Sequence, residues 1–211
     1  MRLVIFGASG LLGTRLVSEA LSRGHELTAV ARDVARIDDR GGQVATAAAD
    51  VTDAASVAAV AGGHDAALSA VTQHDRPEML VDAARGLLAG LSAAGVQRLV
   101  VAGGAGSLLV ASGQRLMDTE GFHEEWKPEA VATAAALDVF RQAETDVEWS
   151  YVSPGALLAP GERTGHYRLG GDELLVDENG KSAISMEDFA IAMVDEAEAA
   201  KHPRQRFTAA H

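Results

Sequence analysis

Three glycines spaced three apart, Gly7, Gly10 and Gly13, separate an apolar run, Leu3 to Phe6, from a stretch with helical apolar spacing that begins at Leu11. No other feature constrains the chain as much. Glycine tolerates left-handed backbone and lacks a β-carbon, so it allows tight turns and close main-chain approach. Between a strand and a helix it also leaves the helix N-terminus bare. That terminus has unpaired N–H groups and a partial positive charge, and it attracts anions. Gly7 suits the turn, Gly10 the approach of a pyrophosphate, and Gly13 the packing of helix against strand. A second apolar run at Glu26–Ala31 completes the order of a dinucleotide-binding βαβ unit.

The rest of the chain repeats this alternation. Strands are expected at Arg2–Phe6, Glu26–Ala31, Val44–Ala48, Asp65–Ser69, Arg98–Gly104 and within Val147–Gly155. Helices are expected at Leu11–Ser22, Ala54–Ala61, Glu78–Ala94 and Pro128–Glu144, with Asp53 capping the second and Pro77 leading into the third. Leu12, Leu16, Ala20 and Leu21 give the first helix one apolar stripe. After Pro154 the rhythm changes to short β-like runs, and Asn179-Gly180 predicts a hairpin. Ser185 reads as the cap of a final helix reaching Ala200, and Gln205–Ala210 as a last strand. The expected fold class is α/β: a doubly wound parallel Rossmann sheet in a single domain, 1–211, with a small C-terminal substrate-side lobe at about 154–184.

Composition narrows the function. The chain has 211 residues, 47% of them hydrophobic, enough to bury roughly 70% of its unfolded surface without staples. It has no cysteine, which excludes disulfides, thiolate zinc sites and a cysteine nucleophile. Its seven histidines include no i, i+4 pair, so no metal site is expected. A formal net charge of -12 argues against direct nucleic-acid binding. The N-terminus shows no signal-peptide pattern and no apolar run suits a membrane-spanning helix, so a cytoplasmic protein with no membrane partner is expected.

Doubly wound sheets bind ligands beyond the carboxyl ends of their strands. Those ends are Gly7–Gly13, Arg32, Asp50–Val51, Ala70–Val71, Gly103–Ser107 and Ser153–Gly155. Arginine at the end of the second strand stands where NAD-type sites place an acid for the ribose 2′-hydroxyl. A guanidinium pairs bidentately with a 2′-phosphate, so NADPH is expected in preference to NADH, with Arg36 as a helper. The long stretch from 104 to 128 carries Phe122, His123 and Trp126. A loop of that length reads as a lid, its aromatics facing a planar substrate or anchoring the loop to the core.

The stretches "VIFGASGLLGTRLV", "VAR" and "ADVTD" resemble the extended and atypical short-chain dehydrogenase/reductase superfamily. "G-A-S-G" resembles its NmrA-like branch and the flavin and biliverdin reductase relatives. "VVAGGAGSL", "WSYVSPGALLAPGERTGHYRLGGDELLVDENGKSAISMEDFA" and "HPRQRFT" are similar to bacterial NAD(P)H-flavin reductases. The resemblance places Gly7, Ser9, Gly10, Leu11 and Leu12 at the pyrophosphate, Arg32 at the 2′-phosphate, and Asp50 and Val51 beside adenine. It places Ala70 and Val71 on the ribose and nicotinamide side, Ser107 at a catalytic position, and Ser153-Pro154-Gly155 beside the nicotinamide. Ser107, His123 and Ser153 are thus the catalytic candidates.

The superfamily's proton relay is a tyrosine with a lysine four residues on. The tyrosines here are Tyr151 and Tyr167, followed at that spacing by Gly155 and Gly171. Reducing a ketone needs a proton delivered to oxygen, whereas a flavin or quinone does more of the work itself. The expectation is an NADPH-dependent reductase of a flavin, quinone or similar planar acceptor. The alternative is a non-catalytic NADP(H)-binding redox sensor or regulator acting through a protein partner; a protein partner or a homodimer is the expected association besides the small acceptor. Sugar-nucleotide epimerase or dehydratase chemistry comes third, because it also needs the relay.

Overall fold

The computed structural model describes residues 1–72 and 76–211; His74, one of the seven histidines, lies outside the described residues. The strands are β1 Arg2–Phe6, β2 Glu26–Ala31, β3 Ala45–Ala48, β4 Ala66–Ser69, β5 Arg98–Ala102, β6 Glu148–Pro154, β7 Leu157–Ala159, β8 Arg168–Gly170, β9 Ala183–Ser185 and β10 Gln205–Ala210. The α-helices are α1 Leu11–Ser22, α2 Ala54–Ala61, α3 Met79–Ala93, α4 Lys127–Gln142 and α5 Met186–Ala199. Asp53 and Ser185 cap α2 and α5 by accepting the N–H groups of Ala55 and Asp188. Each does what its residue type favours at a helix start.

Eight strands form one sheet in the order β3-β2-β1-β4-β5-β6-β10-β8. All neighbours are parallel except β8, which runs antiparallel to β10. The chain starts at β1, in the middle of the sheet, and builds outward in both directions, so β1 and β4 flank the point where the connections diverge. This is the doubly wound Rossmann arrangement, which leaves a crevice at that point. One face packs Leu3, Ile5 and Phe207 against Leu16 of α1 and Phe189 and Met193 of α5. The other packs Val4, Phe6 and Leu99 against Val57, Leu87 and Phe140 of α2, α3 and α4. Both faces are dry, which is why these strands read as continuous apolar runs.

The C-terminal half corrects one expectation. Asn179-Gly180 does form a turn, with the Asp177 carboxylate accepting the N–H groups of Asn179 and Lys181 at 2.9 and 2.7 Å. The flanking strands do not pair with each other, so there is no hairpin. Instead β8 joins β10 and β9 pairs in parallel with β7. No residue from 156 to 183 is buried. Polar bonds hold this lobe in place. Arg163 donates twice to Glu19 of α1, at 2.9 and 3.0 Å. Glu187 of α5 accepts from Arg15 at 2.6 Å and from the Gly161 N–H at 2.8 Å. Asp188 accepts the Thr164 hydroxyl and the Gly165 N–H at 2.5 and 2.8 Å.

Candidate cofactor cleft and acceptor pocket

Gly7 has φ +78°, and a β-carbon there would stand 2.7 Å from the Ala70 carbonyl oxygen. A β-carbon on Gly13 would stand 2.0 Å from the Gly7 carbonyl oxygen, so only glycine lets α1 lie this close to the loop. Gly10 is different. It is exposed, and a β-carbon on it would meet only the Gly7 oxygen, at 3.3 Å. The space over it is open. No side chain caps α1, and no acid sits in its first turn. The amides at this helix start are therefore unopposed by any local anion, as a pyrophosphate site requires. Ser9 lies half-buried in the same turn, Leu11 is exposed, and Leu12 is buried.

Arg32 is exposed at the end of β2. Asp33 beside it caps a short 3-10 turn, accepting the Ala35 N–H at 3.1 Å, so its carboxylate is engaged with its own backbone. Asp50 follows β3. The Thr52 N–H and hydroxyl hold its carboxyl below the ordinary range, and the charges of Arg32 and Arg76 add to the effect. Arg32, Asp50 and the buried Val51 thus gather at one end of the crevice, with Arg76 adding to its charge.

From the glycine loop a cavity of about 580 Å³ runs across the carboxyl ends of β4, β5 and β6. Leu11 and Leu12, then Ala70 and Val71, form its first walls. Gly103–Gly106 and Pro154 continue it, and Leu157 and Leu158 of the lobe close one side. Phe122 and Trp126 line it from the long loop. Their rings meet edge to face, with centroids 6.2 Å apart.

Three catalytic candidates do not converge here. The loop after β5 spends Gly103–Gly106 on the cleft wall and then turns, the Leu108 N–H bonding the Ala105 carbonyl at 2.9 Å. Ser107 emerges on a separate cavity of about 250 Å³, where its hydroxyl accepts from Arg206 at 2.9 Å. Ser153 is completely buried, its Oγ without a hydrogen-bond partner; of β6, it is Tyr151 and Pro154 that line the cleft. His123 is exposed and packs its ring on Trp126 at 4.4 Å, outside the cavity lining. Strand-end position brought the two serines, and the long loop brought His123, near the crevice, but side-chain direction takes all three away from it.

The cleft also contains residues that strand-end reasoning missed. Ala130, Thr133, Ala136 and Phe140 line it from α4. Their three- and four-residue spacing marks one helix face, and that periodicity was the available signal. Tyr151 sits at the floor, where its hydroxyl donates to the Thr133 carbonyl at 2.9 Å. Burial pushes its pKa well above the ordinary phenol range. Such a hydroxyl is a poor proton donor to a ligand.

Comparison with known proteins agrees with this geometry. The sequence profile of the NAD(P)H-binding family matches residues 7–200. A crystal structure from Burkholderia pseudomallei, described as a candidate exported protein, is 44% identical with a TM-score of 0.91; all of each chain is covered. One from Bacteroides thetaiotaomicron, described as a candidate epimerase, is 40% identical with a TM-score of 0.92, covering 100% of this chain and 96% of that one. One from Streptococcus pneumoniae, described as a candidate NADH-flavin reductase, is 33% identical with a TM-score of 0.86, covering 100% and 99%. Among the described residues, no helix is long and apolar enough to cross a membrane.

Proposed function

The chain belongs to the NAD(P)H-binding family, and from that premise we propose that it is an NADPH-dependent reductase of a planar acceptor of the flavin or quinone class. The bound nicotinamide supplies a hydride, as in other nicotinamide enzymes. The chain's own residues hold and orient. The open amides after Gly10, with Leu11 and Leu12, take the pyrophosphate. Arg32 takes the 2′-phosphate, its neighbour Asp33 being engaged with Ala35. Asp50 and Val51 border adenine, while Ala70, Val71 and Pro154 border the nicotinamide end. Phe122 and Trp126 cover the acceptor and exclude water.

One observation carries the reading. The cavity that continues from the glycine loop is mostly apolar, with Glu129 its charged lining residue among the described residues, and the tyrosine at its floor is bonded to the main chain and has its pKa raised by burial. A site built this way favours an acceptor that needs no positioned acid, with solvent supplying the proton. The test is steady-state NADPH oxidation with a panel of riboflavin, FMN, quinones and simple ketones. Multiple turnovers with flavins or quinones but not ketones are expected. Tight NADPH binding without oxidation by any acceptor would overturn the reductase reading. It would favour a sensor whose partner affinity differs between the NADPH and NADP⁺ complexes.

A further inference from the structure

The cleft does not end at the glycine wall. It continues between α3 and α4, where Ala83 and Leu87 line it from one helix and Ala136 and Phe140 from the other. Val101 and Tyr151 contribute from the strands beneath. All six are at most 8% exposed, so this end is a pouch and not a surface groove. Alanines at 83 and 136 leave room that larger side chains would fill. The one hydroxyl among the six, on Tyr151, is bonded to Thr133. Among the described residues, no arginine, lysine or histidine lines any part of the cavity; the charged residue lining it is the acidic Glu129. A phosphate or carboxylate entering the pouch, away from the helix-start amides after Gly10 that serve the pyrophosphate, would lose hydration without a lining cation to replace it. A hydrocarbon chain gains free energy from the same burial.

We propose that this pouch receives a hydrocarbon substituent of an uncharged planar acceptor, which makes the substrate class an alkyl- or prenyl-substituted quinone and not a phosphorylated flavin. The head group rests on the reductase reading above; the tail site rests on the pouch. The quinone takes up a hydride and one solvent proton and leaves as the hydroquinone, while NADPH becomes NADP⁺. The ring lies under Trp126 and Phe122, and the tail runs past Gly103–Gly106 to lie between Ala83 and Ala136.

The test reads binding without turnover. Protein loaded with NADP⁺ is titrated by calorimetry with 1,4-naphthoquinone and its 2-methyl, 2-butyl and 2-octyl derivatives, and with FMN. Affinity is expected to rise about fourfold per methylene over the first carbons, the value of roughly 0.8 kcal/mol per buried methylene. FMN is expected to bind more weakly than the octyl compound. Ala136→Leu and, independently, Ala83→Leu are expected to bring the octyl-to-unsubstituted affinity ratio toward one, with native circular dichroism confirming the fold of each. A chain-length-independent Kd in the unmutated protein, or FMN binding as tightly as the octyl compound, would overturn the proposal. The two readings fail separately. A chain-length series without NADPH oxidation supports the pouch and removes the reductase. Rapid oxidation of all quinones with no chain-length dependence keeps the reductase and removes the pouch.

Discussion

The Tyr151 hydroxyl donates a 2.9 Å hydrogen bond to the main-chain carbonyl of Thr133, and both residues line the same cleft. A phenol held this way and kept neutral by burial is a structural strut. Tyr151→Phe is therefore expected to keep NADPH oxidation within tenfold of the unmutated rate, whereas losing a general acid costs about 10²–10⁴-fold. It should lower stability by about 0.5–1.5 kcal/mol, the usual net value of one hydrogen bond. Steady-state kinetics and urea unfolding measure the two effects. A rate loss beyond a hundredfold at unchanged NADPH affinity would make Tyr151 the proton donor.

On the proposed reading, Arg32 sets cofactor preference. A hydrogen bond to a charged group contributes about 1.5–3 kcal/mol, or roughly tenfold to 150-fold in affinity. NADPH should bind more tightly than NADH by that factor, and Arg32→Ala should erase most of the difference. Calorimetry with both cofactors decides it; NADH binding as tightly as NADPH to the unmutated protein removes this role.

The glycine loop should respond differently at two positions three residues apart, Gly10 and Gly13. A side chain at Gly10 meets little protein, so Gly10→Val should keep a native circular dichroism spectrum and lose NADPH binding. A β-carbon at Gly13 would lie 2.0 Å from the Gly7 oxygen, so Gly13→Ala should lower the melting temperature itself. Unchanged NADPH affinity in a folded Gly10→Val protein would place the pyrophosphate elsewhere.

Acid should loosen the lobe. Glu19 is held below its ordinary value first by the Arg163 hydrogen bond, with Arg23 adding and burial opposing. Burial also opposes the lowering of Glu187 and Asp188, but the bonds from Gly161, Arg15, Thr164, Gly165 and His211 prevail. A carboxyl depressed in the folded state contributes stability above its unfolded pKa and loses it as pH falls through the folded value. Thermal unfolding followed from pH 7 downward should thus be nearly flat to about pH 5 and fall below about 4.5. Arg163→Ala should make that fall shallower. An equally steep fall in the variant would show that the Glu19 pairing does not contribute.

Much of the fold was legible because local rules and tertiary context agree. Leu3–Phe6 and Leu99–Val101 are buried on both faces, so their apolar runs could be little else than inner strands. Asp53 and Ser185 cap helices by chemistry confined to a few residues. The Asn179-Gly180 hairpin failed because a turn signal is local while the choice of strand partner is not: β8 found β10. Ser107 and Ser153 failed for a related reason. Sequence places a residue at the end of a strand, but the turn that follows decides where its side chain points. The wall supplied by Ala130, Thr133, Ala136 and Phe140 went unread because small and apolar side chains at helical spacing look like ordinary core.

The segment from 156 to 183 closes one side of the cleft without a single buried residue, held by the Arg163–Glu19 ion pair to α1 and by hydrogen bonds from Gly161, Thr164 and Gly165 to Glu187 and Asp188 of α5. Its exposed positions are therefore open to substitution. Substitutions at its exposed positions escape the steric veto that the packed sheet imposes, so long as Leu158 and Tyr167 keep their packing and Glu19, Glu187 and Asp188 their partners. On the proposed reading, a lineage can exchange one acceptor for another by accumulating changes in this stretch while its cofactor half stays put. For the protein engineer it is the natural place to build a library: a variable surface mounted on an invariant frame, where diversity is bought at little risk to folding.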